Sequence, residues 1–274
     1  IYISFSKSDP DDNKRGMTAL IRAKLDRETR SLTETQTIYE ITDPDHFGRG
    51  GIHWGTRTVF DRAGYLYIAI GDRREQDKAQ DLTVPHGSIF RLHDDGRVPK
   101  DNPFLGVEGA YPGIWSYGHR NPQGMAVHPE TGEIWAIEHG PKGGDELNLI
   151  GKGLNYGWPV ITYGINYSGT PISDKTEMPG MEQPVKYWDP SPAPCGMAIY
   201  SGDTFPAWKN QFFIANLRAQ KIIRLELDDK NQVVSEEDLL EDLGRFRDVE
   251  TGPDGNLWVL VEQPGRIIRL VPVE

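Results

Sequence analysis

The residues able to do chemistry recur at one place in a repeated pattern. His53 precedes "WGTRTVF", Arg120, Asn121 and Gln123 precede "MAVH", Ser191 precedes "APCGMAIY", and Arg245 and Arg247 precede "DVETGPDG"; Arg218 follows "FFIAN". Guanidinium groups gathered in one cavity repel one another unless carboxylates neutralise them, and their forked donors match planar carboxylates. Two readings follow: a multiply carboxylated ligand, or separate ion pairs with surface Asp and Glu. A second stretch, "EHGPKGGDELNLIGKGLNYGWP" at 138–159, offers backbone carbonyls beside Glu138, Asp145, Glu146 and Tyr156. By ligand type it suits calcium, though it is no EF-hand, and it equally fits a turn with solvated acids. His119 and His139 stand beside glycines, where a ring often satisfies a backbone group. Neither has a second histidine at the spacing of a transition-metal site. Nucleophilic catalysis lacks support: there is no G-x-S-x-G, and Cys195 lies between Pro194 and Gly196 with no adjacent base. The charged run "GDRREQDKAQDL" at 71–82 reads as a solvated loop.

The elements that must position these groups are short strands. Four times the chain spells strand, polar turn, strand: "TVFDRAGYLYIAIGD", "MAVHPETGEIWAIEHG", "MAIYSGDTFPAWKNQFFIANL" and "DVETGPDGNLWVLVE". A third strand follows in three of them, at 87–92, 221–227 and 265–270. Residues 1–5, 19–25 and 37–41 supply three strands of a partial first unit. Self-similar antiparallel units at this spacing predict an all-β propeller rather than a sandwich, with about four full blades and a partial first one. The innermost strand of a blade begins beside the central channel, so the polar residues share a phase that predicts one common pocket. Helical periodicity is nearly absent; the best candidate is "SEEDLLEDL" at 235–243. Long Pro/Gly-rich segments at 98–113 and 163–185 are expected as loops.

Composition narrows the function classes. A formal charge of −11 disfavours phosphate backbones and anionic lipid. No apolar run approaches a membrane span, and no glycine pattern opens a dinucleotide-binding helix. Gly and Pro together make 50 of 274 residues, which favours many turns. The single cysteine excludes an internal disulfide. The chain opens directly on the strand-like "IYISFS", an expectation of a processed or N-terminally incomplete domain covering residues 1–274.

Taken together, "HWGTRTVFDRAGYLYIAIGD", "GHRNPQG", "EHGPKGGDELNLI", "NYGWPVITYG", "APCGM" and "RFRDVETGPDGNLWVL" resemble the soluble, pyrroloquinoline-quinone-dependent aldose sugar dehydrogenases of the glucose/sorbosone dehydrogenase family. The resemblance runs along the whole chain. It implies a six-bladed propeller, here lacking its N-terminal part, and oxidation of the anomeric carbon of aldoses to lactones with hydride passing to the quinone. It implies His53 as general base, with Asp145 orienting and polarising it. It places Arg120, Asn121, Ser191, Arg218, Arg245 and Arg247 on the cofactor, and the carbonyls of Gly140 and Pro141 on a calcium ion acting as Lewis acid. Glu146 and Tyr156 match a second, structural calcium. Arg218 stands where the glucose-oxidising branch has Lys. The resemblance further implies an aldose substrate, an external electron acceptor and a periplasmic or secreted location, with no nucleic acid and no membrane insertion.

Two other classes fit the residues less well. A non-catalytic propeller acting as a carbohydrate- or protein-binding platform has no physical need for a base beside a polycarboxylate pocket. A calcium-dependent lactonase would want inward Asp, Asn and Glu from several blades, where the set here is cationic.

Overall fold

Alternating apolar residues in runs of five or six, each closed by a turn of Asp, Gly and Thr, leave the chain little option but short antiparallel ladders. The computed structural model describes residues 1–273. They fall into two compact units, one of residues 1–121 and 152–159, the other of residues 122–151 and 160 onward.

The first unit holds two sheets. One is built from β1 (Tyr2–Ser8), β2 (Arg15–Asp26) and β3 (Ser31–Tyr39) in that order, with the two-residue β4 (Gly48–Arg49) paired to the start of β2. The other is a meander of β5 (Gly55–Phe60), β6 (Leu66–Ile70), β7 (Ser88–Leu92) and β8 (Ile114–Tyr117). The β5–β6 turn shows the local logic. Asp61 Oδ1 accepts from the amides of Ala63 and Tyr65, and Gly64 takes the left-handed φ of 83° that closes the hairpin. Met17, Leu20, Ile41, Leu66, Ile68 and Phe90 are among the side chains filling the core of this unit.

The second unit holds three sheets: β9 (Pro122–Val127), β10 (Ile134–Glu138), β11 (Asp145–Ile150) and β12 (Lys186–Trp188); β13 (Pro194–Ile199), β14 (Phe212–Asn216), β15 (Ile222–Leu227) and β16 (Val233–Leu239); and β17 (Phe246–Thr251), β18 (Leu257–Val261) and β19 (Arg266–Arg269). Its apolar residues form two clusters, one around Trp135, Ile137, Phe212 and Ile214, the other around Tyr200, Phe213, Phe246 and Val249. Burial of each such side chain contributes about 1.5–3 kcal/mol.

The described residues thus make five propeller-type blades and almost no helix: the expected first unit of three strands is the β1–β3 sheet, with β4 beside it, and the four further units are the other sheets. The strands predicted as innermost, β5, β9, β13 and β17, each open their sheet. Three expectations are corrected. "SEEDLLEDL" contributes a strand, β16: its acids face basic residues, Lys221 to Asp238 and Arg224 to Glu237, across the ladder with β15, where a lone helix would have no partner face. "DELNLI" is the third strand of its blade rather than a turn, with Asp145 wholly buried. The run at 71–82 is not a solvated loop throughout, since Asp72 and Arg73 are buried. Among the described residues no helix is long and apolar enough to cross a membrane.

One buried group ties stability to pH. His86 is wholly buried, and neither ring nitrogen has a hydrogen-bond partner among the described residues. Burial, reinforced by the Lys78 ammonium, lowers its pKa from 6.5 to about 4. The unfolded chain therefore binds the extra proton first, so this contribution is complete above about pH 6.5 and is lost as the pH falls to about 4. The expected loss across that window is about 3 kcal/mol. Denaturant titrations of the wild type and His86→Gln at several pH values should show the variant with the shallower slope.

Candidate active site

In the first unit the geometry starts from a hairpin. Gly55 of β5 pairs with Ile70 of β6, and two residues beyond that pair on each strand stand His53 and Asp72. Asp72 Oδ1 lies 2.6 Å from His53 Nδ1. The close approach depends on Gly71, where a Cβ would sit 2.1 Å from the His53 carbonyl oxygen. Asp72 is 1% exposed and keeps further donors: the Arg74 amide at 2.8 Å on Oδ1 and Trp158 Nε1 at 2.8 Å on Oδ2. An ionised carboxylate only accepts, so His53 Nδ1 carries the hydrogen and Nε2 keeps its lone pair. The imidazole, 12% exposed, is thereby set up to accept a proton at Nε2.

Arg120 and Asn121 belong to the same neighbourhood. The Asp72 amide donates to the Arg120 carbonyl at 2.8 Å, and the buried Arg120 guanidinium lies 5.3 Å from the Trp158 ring centre. Asn121 Oδ1 accepts from the Gly55 amide at 3.3 Å. Tyr156 is buried and stacks on His119 at 4.5 Å.

The second unit carries the remaining candidates. The carboxylate on His53 is Asp72, which corrects the role given to Asp145. Asp145 opens β11 and places its oxygens on the Gly140 amide (2.8 Å), the Ser191 hydroxyl (2.5 Å) and the Ala193 amide (3.1 Å). It joins the Gly140 turn to the entry of β13. That turn is crowded with carbonyls: a Cβ on Gly140 would lie 2.2 Å from the Gly144 oxygen and 2.3 Å from that of Gly143. Among the described residues no group of three or more His, Cys, Asp or Glu is arranged to hold a metal. A hard cation at Gly140 and Pro141 would therefore depend on carbonyl oxygen, which calcium accepts. His139 does the blander of its two tasks, with Nε2 2.5 Å from the Pro194 carbonyl.

Glu146 and Glu138 share one amide donor, Asn148 Nδ2, at 3.2 Å each. Burial, then the neighbouring Glu138 carboxylate, pushes Glu146 up to about 8. Arg245 and Arg247 divide one carboxylate, Glu262, at 3.3 and 2.9 Å, and hydrogen bonds from Arg247 and Arg245 hold it below its usual range. Arg218 reaches the Ser191 carbonyl at 3.2 Å. Both guanidinium groups are roughly half-exposed beside that shared carboxylate, and their forked donors match an anionic ligand.

These sequences and folds have counterparts. The model of the Glucose / Sorbosone dehydrogenase family matches residues 1–269. The chain belongs to that family. It is 44% identical to aldose sugar dehydrogenase YliI of Escherichia coli over 276 residues, covering 99% of this chain and 73% of that protein. A crystal structure of a glucose dehydrogenase superposes with a TM-score of 0.93 at 42% identity, covering 99% of this chain and 78% of its own. The quinone-bound aldose sugar dehydrogenase of Streptomyces coelicolor gives a TM-score of 0.75 at 25% identity, covering 98% and 75%.

Asp72, the carboxylate on His53, lies in a stretch expected as a solvated loop and is not among the expected site residues. A signal is present: in four of the five blades the exit of the second strand carries a polar residue, Asp72 after β6, Glu138 ending β10, Asn216 ending β14 and Glu262 after β18. These lie across the ladder from the residues that lead into the first strand, so His53 meets Asp72 as Arg245 meets Glu262. Asp145, by contrast, has a structural load to lose. Asp145→Ala leaves the buried Gly140 and Ala193 amides without this acceptor, and unfolding titrations should show about 2–3 kcal/mol less stability, with Asp145→Asn recovering part of it.

Proposed function

We propose that this protein oxidises the anomeric carbon of aldose sugars to lactones with pyrroloquinoline quinone as cofactor and an external electron acceptor. The observation that carries the reading is the His53–Asp72 pair, a base with its tautomer fixed and Nε2 left as acceptor, in a chain of the Glucose / Sorbosone dehydrogenase family. Relatives named as aldose sugar dehydrogenases, one of them quinone-bound, support the substrate and the cofactor. When bound, the quinone supplies hydride acceptance and a calcium ion the Lewis acidity.

The chain's own residues do the rest in this reading. His53 Nε2 takes the proton of the anomeric hydroxyl, and Asp72 stabilises the imidazolium that forms. Arg120 and Asn121 of the first unit, and Ser191, Arg218, Arg245 and Arg247 of the second, are proposed contacts to cofactor oxygens. The donor chemistry fits a polycarboxylate: the forked guanidinium donors match planar carboxylates, as Arg245 and Arg247 already do on Glu262. The Gly140 and Pro141 carbonyls are proposed for the calcium ion. Glu146 and Tyr156 are proposed for a second ion: Glu138 and Glu146 crowd two carboxylates onto the one Asn148 donor, a repulsion that a bound cation would relieve. A periplasmic or secreted location belongs to the same proposal. Against a non-catalytic platform stands the burial of Asp72 beneath a histidine, an arrangement that binding alone does not require.

Titration of the purified protein with pyrroloquinoline quinone and calcium, followed by dye reduction on adding an aldose, tests the proposal; absence of aldose-dependent reduction in the loaded protein removes it. His53→Ala should retain cofactor and lose most turnover. Asp72→Asn should lower kcat about 100-fold or more with little change in cofactor affinity, because an amide can hold the ring in the wrong tautomer. Arg247→Ala should weaken quinone binding about tenfold or more, the worth of a charge-assisted contact, while thermal unfolding shifts little.

A further inference from the structure

We propose that Arg73 is a positioning residue that holds the backbone leading into His53 and the side chain that follows it, and so keeps the base in place; this rests on the reading of His53 as the proton acceptor. Arg73 is wholly buried, yet its guanidinium has no carboxylate partner among the described residues. Its donors go to main-chain carbonyls: Nη1 to Ile52, Nη2 to Gly50 at 2.6 Å, and Nε to Gly16 at 3.4 Å. Its Cζ lies 3.3 Å from the centre of the Trp54 ring. The carbonyl before His53 and the side chain after it are thus held by one planar group.

The clamp has a reason to exist. His53 adopts a left-handed φ of 54°, a conformation that a non-glycine residue leaves unless its surroundings hold it. Between β4 and β5 no ladder does so, because the strand pairing of β4 with β2 stops at Arg49. A buried guanidinium without a carboxylate is costly, and burial lowers the Arg73 pKa to about 10 although Asp72 and Glu75 oppose the shift. Three carbonyls and an aromatic face offset that cost only with a planar fork, so Lys cannot replace it.

Neighbouring glycines make room for the stack. Gly16 and Gly48 face each other across β2 and β4. A Cβ on Gly48 would lie 2.4 Å from Arg73 Cβ, and one on Gly16 would lie 2.8 Å from Trp54 Cη2. Consecutive residues of the turn after β6 then address the two parts of His53: Asp72 the ring, Arg73 the main chain. Left-handed φ values at Arg73 (55°) and Arg74 (63°) accompany that division.

The test compares wild type, Arg73→Lys and Arg73→Met, all loaded with quinone and calcium. Both variants should lose about tenfold or more in kcat, with aldose KM and quinone affinity within about twofold, because a small displacement of a base harms the chemical step more than binding. Folded variants with unchanged kcat, or with kcat, KM and quinone affinity all lost together, would overturn the proposal. Trp54→Leu, which removes the stack and keeps the fork, is the second variant should either Arg73 variant fail to fold; it should show the same split, and an unchanged kcat counts against the clamp. Hydrogen exchange separates this idea from the functional reading. In Arg73→Lys the amides of residues 50–55 should exchange about tenfold faster while the β6–β7 amides keep wild-type rates. Equal exchange at 50–55 refutes the clamp even in an active enzyme, whereas a wild type that does not oxidise aldoses refutes the functional reading and leaves the exchange result to stand alone.

Discussion

A carboxylate removed from water must find donors, and the donors Asp72 finds set the rest of the first unit's polar chemistry. One is the His53 ring, one the Arg74 amide, one the Trp158 indole. Because the last comes from residues 152–159, the segment after β11 is fixed against the β5–β6 end of its own unit. Trp158 in turn lies against the Arg120 guanidinium, and the Asp72 amide holds the Arg120 carbonyl. Moving any one of these groups disturbs the others. Such networks are stable when every member is satisfied and costly when one is removed.

The second unit solves a related problem with a different acid. Asp145 is as buried as Asp72, and among its partners are two backbone amides and a hydroxyl. Its task is to shape the Gly140 turn and the Ser191–Ala193 entry. Glycines allow both arrangements. Gly71 admits the His53 carbonyl where a methyl group would meet it, and Gly140 lets neighbouring carbonyls close in. The same economy explains why small residues crowd these stretches of sequence while the strand interiors are branched and aromatic.

Much of this was legible beforehand, and the failures share a cause. The strands opening each sheet, the hairpin turns and the all-β class follow from alternation and turn residues, which are local properties. His53, Arg120 and Asn121 were selected by their common phase in the repeat, and the structure ties all of them to the strand ends of one unit. Asp72 was missed because "GDRREQDKAQDL" looks hydrophilic; burial of a charge is decided by neighbours distant in sequence, here Trp158 and His53, that no local composition reveals. Asp145 was given the wrong partner for the same reason. "SEEDLLEDL" lacks strand-like composition, but an edge strand facing Lys221 and Arg224 can be built of acids when the pairing is complementary.

Proton acceptance at this site depends on the tautomer of one ring. Long-range nitrogen–proton NMR of histidine-labelled protein, at a pH where the imidazole is neutral, reads it without cofactor or substrate. Hydrogen on Nδ1 and a bare, pyridine-like Nε2 at His53, exchanged for a mixture of both tautomers in Asp72→Ala, is the predicted result. A His53 ring protonated on Nε2 in the wild type would contradict the assignment of Asp72 as its partner and of Nε2 as the proton acceptor.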